Sequence, residues 1–505
     1  MTSPRGCYHL NAGIRLIAVN GAGIIVRENP FRMYRVNLTA LDLLKMCQTG
    51  YFPESMAQIL NKEVKAASAN LLDRFMEAGV LRWTPPDNFE KPLVTIVVPV
   101  YNRAQDIRSC LDSLFALEYP SDSYEIVVID DNSSDSTVEV IKKYGVKLLE
   151  NRFNMGQSAA RNLGASHARG DIIAFTDSDC IVSPRWLSEL IPYFEDERNV
   201  LVGGYVGSYY RKTRLDRYEE SNSPLNMGKK LLFGHGPESD FYVPTCNMLL
   251  RKKAYSSVGG FDEAMRVGED VDLCWRLKER GFRLVYVPMG TVEHKHRNVF
   301  TETFKRRFEY GLSEPMLYSR HRQIEKHFPV TPSSLALMLS AFTGIVGKQL
   351  LSIPLFLAIL VADAVMKTVK YTKQAGISLP FATIFRSAAT THFNLLFHLS
   401  HHVIRYHLIL LLLLAIVFPQ IMFAVAAMVL FTSIVECIRK KPRISFPEFL
   451  FYFLAEQCCY QLGVLTGCLR LRFFRPYKLN FRRVKPPSGG SKKDHGGAKS
   501  VPDNA

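Results

Sequence analysis

Apolar positions run along this 505-residue chain in three successive rhythms. In residues 8–85, short β-type runs give way to helical spacing. IRLIAV and GIIV flank Asn20-Gly21, a dipeptide that favours a hairpin. Asn37-Leu38-Thr39 can cap a helix carrying Leu41, Leu43, Leu44 and Met46. Helices are predicted over residues 53–60 and 64–78, the last ending at Gly79 before the strand-like Val80-Leu81-Arg82-Trp83. The outcome is a small winged three-helix unit, closed by the linker Thr84-Pro85-Pro86-Asp87-Asn88.

From residue 92 to about 330 the rhythm becomes strand, helix, strand. Val94-Thr95-Ile96-Val97-Val98 is a continuous β-branched run of the kind buried inside a parallel sheet. Strands follow over residues 124–129, 146–149 and 172–176, with helices over 107–115, 137–144 and 158–168 between them. That alternation predicts an α/β domain with a doubly wound, mainly parallel sheet, whose ligand lies off the C-terminal strand ends.

Beyond 330 the polar positions thin out. Residues 408–435 hold only Gln420, Thr432 and Ser433 as polar interruptions, more than the ~20 apolar residues that cross a bilayer core, with Pro419 placed to kink or split the run. Residues 335–362 are apolar around Lys348, and 446–469 around Glu448, Glu456 and Gln457, so both are expected to be amphipathic or weakly spanning. The chain therefore divides into 8–85, 92–330, a hydrophobic helical region over 333–470, and a basic, disordered tail over 471–505.

Charge sharpens this picture. The 63 Lys and Arg against 47 Asp and Glu leave +16, which suits anionic partners. The excess at Arg470, Arg472, Arg475, Lys478, Arg482, Arg483 and Lys485 follows an apolar stretch and points to a lipid surface rather than nucleic acid. Residues 66–78 hold only Arg74 against Asp73 and Glu77, no recognition helix for DNA. The ten cysteines form no CxxC pair, as expected of free thiols in a reducing compartment. The N-terminus lacks a signal-peptide pattern, which places the N-terminal part in the cytoplasm.

Polar clusters stand where strands run out: Pro99-Val100-Tyr101-Asn102-Arg103, Asp130-Asp131-Asn132-Ser133 and Asp177-Ser178-Asp179. A carboxylate after the second strand can accept hydrogen bonds from a base or a ribose. Asp177 and Asp179 offer hard oxygen ligands to Mg²⁺ or Mn²⁺, ions that also take diphosphate oxygens. His294 is a candidate third ligand, with His296 its competitor. Arg161 can neutralise a diphosphate. Glu269, Asp270 and Asp272 open a predicted helix, where the macrodipole favours acids; Asp270 is the candidate general base for an acceptor hydroxyl.

VTIVVPVYNR, EIVVIDDNSSDST, GQSAARNLGA, IIAFTDSDC and VGEDVDLCWRLKERGF, in that order, resemble the motif series of family 2 glycosyltransferases with a GT-A fold. The resemblance covers residues 92 to about 320. It implies inverting transfer from a nucleotide sugar, usually a UDP-sugar, with a divalent cation. It places the nucleotide near Pro99, Tyr101, Asp131 and Arg161, with Asn102, Arg103, Asp130 and Asp177 in the same clusters. The metal falls on Asp177 and Asp179, and the base on Asp270 beside Glu269. The Gln-x-x-Arg-Trp motif of processive polysaccharide synthases is not found.

Residues 8 to about 325 are further similar to glycosyltransferases of the mycofactocin system, through YEESNSPLNMG, Tyr242-Val243-Pro244, GGFDE and Tyr310-Gly311-Leu312-Ser313, with a PqqD-like peptide-recognition module in front. That likeness implies UDP-glucose as donor, premycofactocin or its peptide precursor as acceptor, a β-1,4-linked glucose chain as product, and a membrane lipid surface with the catalytic domain on the cytoplasmic face. Alternatives are a membrane glycosyltransferase for cell-envelope polysaccharide or lipid-linked glycan, and a non-catalytic peptide-binding scaffold.

Overall fold

The computed structural model describes residues 6–19, 21–28, 31–50, 71–72, 74–76, 78–86, 88–89, 91–234, 236, 239–347, 351–375 and 380–483. The predicted helix over 53–60, most of that over 64–78, Lys348, Lys485 and the tail from 484 lie outside the described residues.

The predicted hairpin forms, with Ile14–Val19 antiparallel to Ala22–Glu28, and a third strand, Phe31–Val36, extends it. Asn37 accepts a hydrogen bond from the Ala40 amide and caps the helix Leu38–Met46. The unit is less separate than its linker suggests. Tyr8, Leu44 and Trp83 share one buried cluster with Val94 and Ile96, and the Arg198 Nη2 donates to the Tyr8 hydroxyl at 2.7 Å. Burying a shared apolar face holds the N-terminal unit onto the α/β domain.

An eight-stranded sheet forms the centre. Its spatial order is Leu232–Gly234, Arg283–Tyr286, Asn199–Gly203, Met248–Arg251, Ile172–Phe175, Val94–Val100, Tyr124–Asp130, Lys147–Glu150. The strands predicted up to residue 176 are parallel neighbours. Met248–Arg251 and Leu232–Gly234 run antiparallel to their neighbours, so the sheet is mixed but mainly parallel. Chain order switches sides at Val94–Val100, which has the second strand on one edge and Ile172–Phe175 on the other. Such a switch leaves a crevice at the C-terminal strand ends.

A small three-stranded sheet of Cys180–Val182, Val292–His294 and Val206–Ser208 stands over that crevice. Past it, the 21-residue helix Phe300–Arg320 leads from the α/β domain into the C-terminal helices.

Three of those helices are long and apolar enough to cross a membrane: Ser352–Lys373, Phe381–Val417 and Gln420–Lys440. The apolar run over 408–435 is therefore not one span. Proline has no amide hydrogen and clashes with the preceding turn, and Pro419 breaks the run between two helices that pack on each other. Phe446–Leu471 lies along Phe300–Arg320. A Cβ at Gly463 would stand 2.1 Å from the Phe308 carbonyl, and one at Gly311 2.1 Å from that of Tyr460, so the two backbones touch. The expected tail also begins later than residue 471: Asn480–Arg483 pairs in parallel with His327–Val330, and Arg475 is bound to Glu325 at 2.6 Å.

Candidate active site

Strand register brings the acidic residues together. Cys180 pairs with His294 across two antiparallel strands, and the Lys295 amide donates to the Asp179 carbonyl at 2.9 Å. The His294 Nε2 thereby lies 3.6 Å from an Asp179 carboxylate oxygen. His296, two residues on, also lines the cavity, but both ring nitrogens are engaged: its Nδ1 meets the Ser208 hydroxyl at 2.7 Å and its Nε2 meets Asp216 at 3.2 Å. The competitor for the metal position is thus a satisfied structural histidine.

Gly268, at φ 82°, turns the chain into the helix Glu269–Glu279, whose first turn carries Glu269, Asp270 and Asp272. Amides left free at a helix start favour such acids. Glu269 is buried and accepts from Arg161 Nη1 at 2.9 Å and from Gln157 at 2.7 Å. The other arm of Arg161 donates to Asp177 at 2.6 Å. Arg161, expected on a diphosphate, is only 1% exposed and bridges two carboxylates. Asp270 is left half-buried without such a partner. Burial, then the neighbouring Glu269 charge, raises its pKa to about 7.

One cavity of about 680 Å³ gathers these groups. Pro99, Tyr101, Arg103, Asp131, Arg161, Asp177, Asp179, Glu269, Asp270 and His294 all line it. Asn102 and Asp130 do not. Asn102, at φ 51°, accepts from the Ser134 amide at 2.7 Å and ties the first loop to the second. Asp130 accepts from the Ser133 amide at 2.9 Å, closing its own turn. Asp131 reaches the wall, but its oxygens hold the loop before the Arg161 helix, accepting from Asn151 and from the amides of Met155 and Gly156 at 2.8–2.9 Å.

Asp179 and His294 offer a carboxylate oxygen and an imidazole nitrogen on the same wall, with Asp177 beside them. This hard oxygen and nitrogen set fits a divalent cation. The Cys180 thiol is also close, but it is buried and burial pushes its pKa well up, which suits a packed thiol rather than a thiolate ligand.

Three groups of residues at this cavity escape sequence reasoning. Gln157 shares Glu269 with Arg161. Lys295 pairs with Asp106 at 3.0 Å. Arg405 and Tyr460 reach the cavity from the C-terminal helices. An arginine set just before the apolar run over residues 408–417 is the one signal that points to the last group.

Comparison with known proteins gives part of this chain a family likeness. Residues 95–259 match the model of glycosyl transferase family 2. Over 284 residues the chain is 36% identical to a pre-mycofactocin glycosyltransferase of Mycobacterium tuberculosis, covering 55% of this chain and 57% of that protein. It is 28% identical over 246 residues to the glycosyltransferase AglE of Haloferax volcanii, covering 46% of this chain and 76% of that one. Among solved structures it is similar to a mannosyltransferase of Pyrobaculum calidifontis in complex with GDP-Man and Mn²⁺, at 18% identity and a TM-score of 0.38, covering 61% of this chain and 89% of the other. The matched part thus spans little more than half the length of the mycobacterial relative. Residues 95–259, which match the glycosyl transferase family 2 model, carry most of the carboxylates of the cavity, so the part of the chain that builds the site is similar to that family.

Proposed function

We propose that this chain transfers glucose from UDP-glucose, with inversion, onto premycofactocin or its peptide precursor and extends a β-1,4-linked glucose chain at the cytoplasmic face of a membrane. The observation that carries the reading is Asp270: a half-buried carboxylate poised near neutral pH, in the cavity that also holds Asp177, Asp179 and His294. The likeness to the mycobacterial protein favours the acceptor, and the three long apolar helices favour the membrane.

In one displacement, the acceptor hydroxyl gives its proton to Asp270 as its oxygen bonds to the anomeric carbon, and the bond from that carbon to the diphosphate breaks with its electron pair leaving on UDP. Pro99, Tyr101 and Arg103 form the wall for the nucleotide. Arg161 holds Glu269 and Asp177 apart and in place, so it acts as a positioning residue. Asp179 and His294, with Asp177, would hold a divalent cation, which would supply positive charge to offset that of the departing diphosphate.

A second reading, transfer to a cell-envelope or lipid-linked glycan, is favoured by the reach of the cavity to Arg405 and Tyr460 on the apolar helices. The test is to incubate the full chain in detergent with UDP-glucose, UDP-galactose, UDP-N-acetylglucosamine or GDP-mannose and Mn²⁺, with and without premycofactocin. Release of UDP from UDP-glucose, stimulated by that acceptor, is expected. Turnover of another donor alone, or no response to the acceptor, contradicts the reading.

A further inference from the structure

The catalytic cavity does not end at the carboxylates. It continues between Phe300–Arg320 and the C-terminal helices, where Arg306, Tyr310, Arg405 and Tyr460 line it. The acids of this lobe are already satisfied. Glu314 accepts from the hydroxyls of Tyr406 and Tyr460, each at 2.6 Å, and lies 3.3 Å from Lys326. Glu219 is bound by Arg307 at 2.7 Å, and Glu456 takes the Tyr218 hydroxyl at 2.8 Å.

Two guanidinium groups differ from these. Arg405 lies over the Tyr460 ring at 3.5 Å and, among the described residues, forms no direct ion pair, although Glu314 and Glu456 stand near enough to act on its charge. Arg306 lies over Tyr310 at 4.9 Å, with only the half-exposed Glu309 at 3.1 Å. Tyr310 packs against the buried cluster that holds Tyr460, so the two cation–aromatic stacks adjoin one cluster. A stacked arginine keeps its in-plane donors free, and those donors match the paired oxygens of a phosphate or carboxylate. Arg405 also stands just before the apolar end of its helix, residues 408–417, whose side chains from Leu410 to Val417 are largely exposed. A cation kept at such a place asks for a partner.

We infer that the lobe between the catalytic domain and the C-terminal helices is an oxyanion-binding acceptor site, in which Arg405 and Arg306 hold a phosphate or carboxylate of the acceptor while its hydroxyl reaches Asp270. The inference rests on the transferase reading above and extends it to the charge of the acceptor. It makes the C-terminal helices part of substrate recognition as well as a membrane attachment.

The test uses the full chain in dodecyl maltoside, saturated with UDP and Mn²⁺, titrated with dodecyl phosphate in one arm and inorganic phosphate in the other. Wild type, Arg405→Gln, Arg306→Gln and the charge-keeping Arg405→Lys are compared. Loss of a charge-assisted contact predicts roughly tenfold weaker binding for each glutamine variant, a smaller loss for Arg405→Lys, and UDP affinity within about twofold of wild type throughout. If only dodecyl phosphate shows the dependence, the ligand is an amphiphile; if both probes do, the oxyanion alone suffices, and either result supports the site. Equal affinity of all four proteins for both probes, with UDP binding intact, overturns the inference and leaves the transferase reading standing. Failure of wild type to bind UDP strikes at that reading instead.

Discussion

Asp270 and Arg161 show how burial divides the work among charged residues. Glu269 and Asp177 meet a guanidinium, while Asp270 meets none, and desolvation keeps its proton until about pH 7. Arg161 lowers that value by its charge. Arg161→Met should therefore do two things. It leaves Glu269 buried without its cation, which costs ~3–5 kcal/mol and lowers the thermal midpoint. It also moves the rising limb of the rate against pH to higher pH, since Asp270 becomes harder to ionise. An unchanged midpoint, measured by differential scanning fluorimetry, would show that the bridge does not hold the site together.

At the scale of elements, register and close packing decide what meets what. The short pairing of Cys180–Val182 with Val292–His294 joins Asp179 to a histidine more than a hundred positions away. Close approach of Phe300–Arg320 and Phe446–Leu471 depends on glycines at positions 311, 463 and 467. Gly463→Val is expected to force those helices apart at a cost of about 1–3 kcal/mol, whereas Leu462→Ala, at an exposed neighbour, should stay near wild type. Equal melting of the two variants would contradict the packing.

The strands carrying Pro99, Asp131 and Asp177 were legible in the sequence because each is a β-branched run ending in polar residues, and strand ends in such sheets converge. Asn102 and Asp130 were not separable from their neighbours in this way. Adjacent residues at a strand end point in different directions, and only the turn geometry decides which one faces the cavity. The Pro419 break was readable from the missing amide of proline. The strand Asn480–Arg483 was not, because its pairing partner lies some 150 positions earlier, and a basic composition gives no sign of it.

Across the whole molecule, buried contacts join the described parts, and two of them, the α/β domain and the C-terminal helices, build the cavity. The N-terminal unit shares its buried face with the sheet, and the C-terminal helices close the far side of the cavity. Under the proposed function, the apolar helices would hold the carboxylates where an acceptor reaches them at a membrane. The proposed function turns on one event, removal of a proton from the acceptor hydroxyl. The most direct test is the pH dependence of UDP release from UDP-glucose with saturating Mn²⁺ and acceptor, for wild type and Asp270→Asn, alongside UDP affinity by calorimetry. The rate of wild type should rise through about pH 7 as Asp270 loses its proton. Asp270→Asn should fall by ~10²–10⁴-fold with no rising limb while its UDP affinity is kept. A variant that turns over at the wild-type rate with the same pH profile would contradict the assignment of the base.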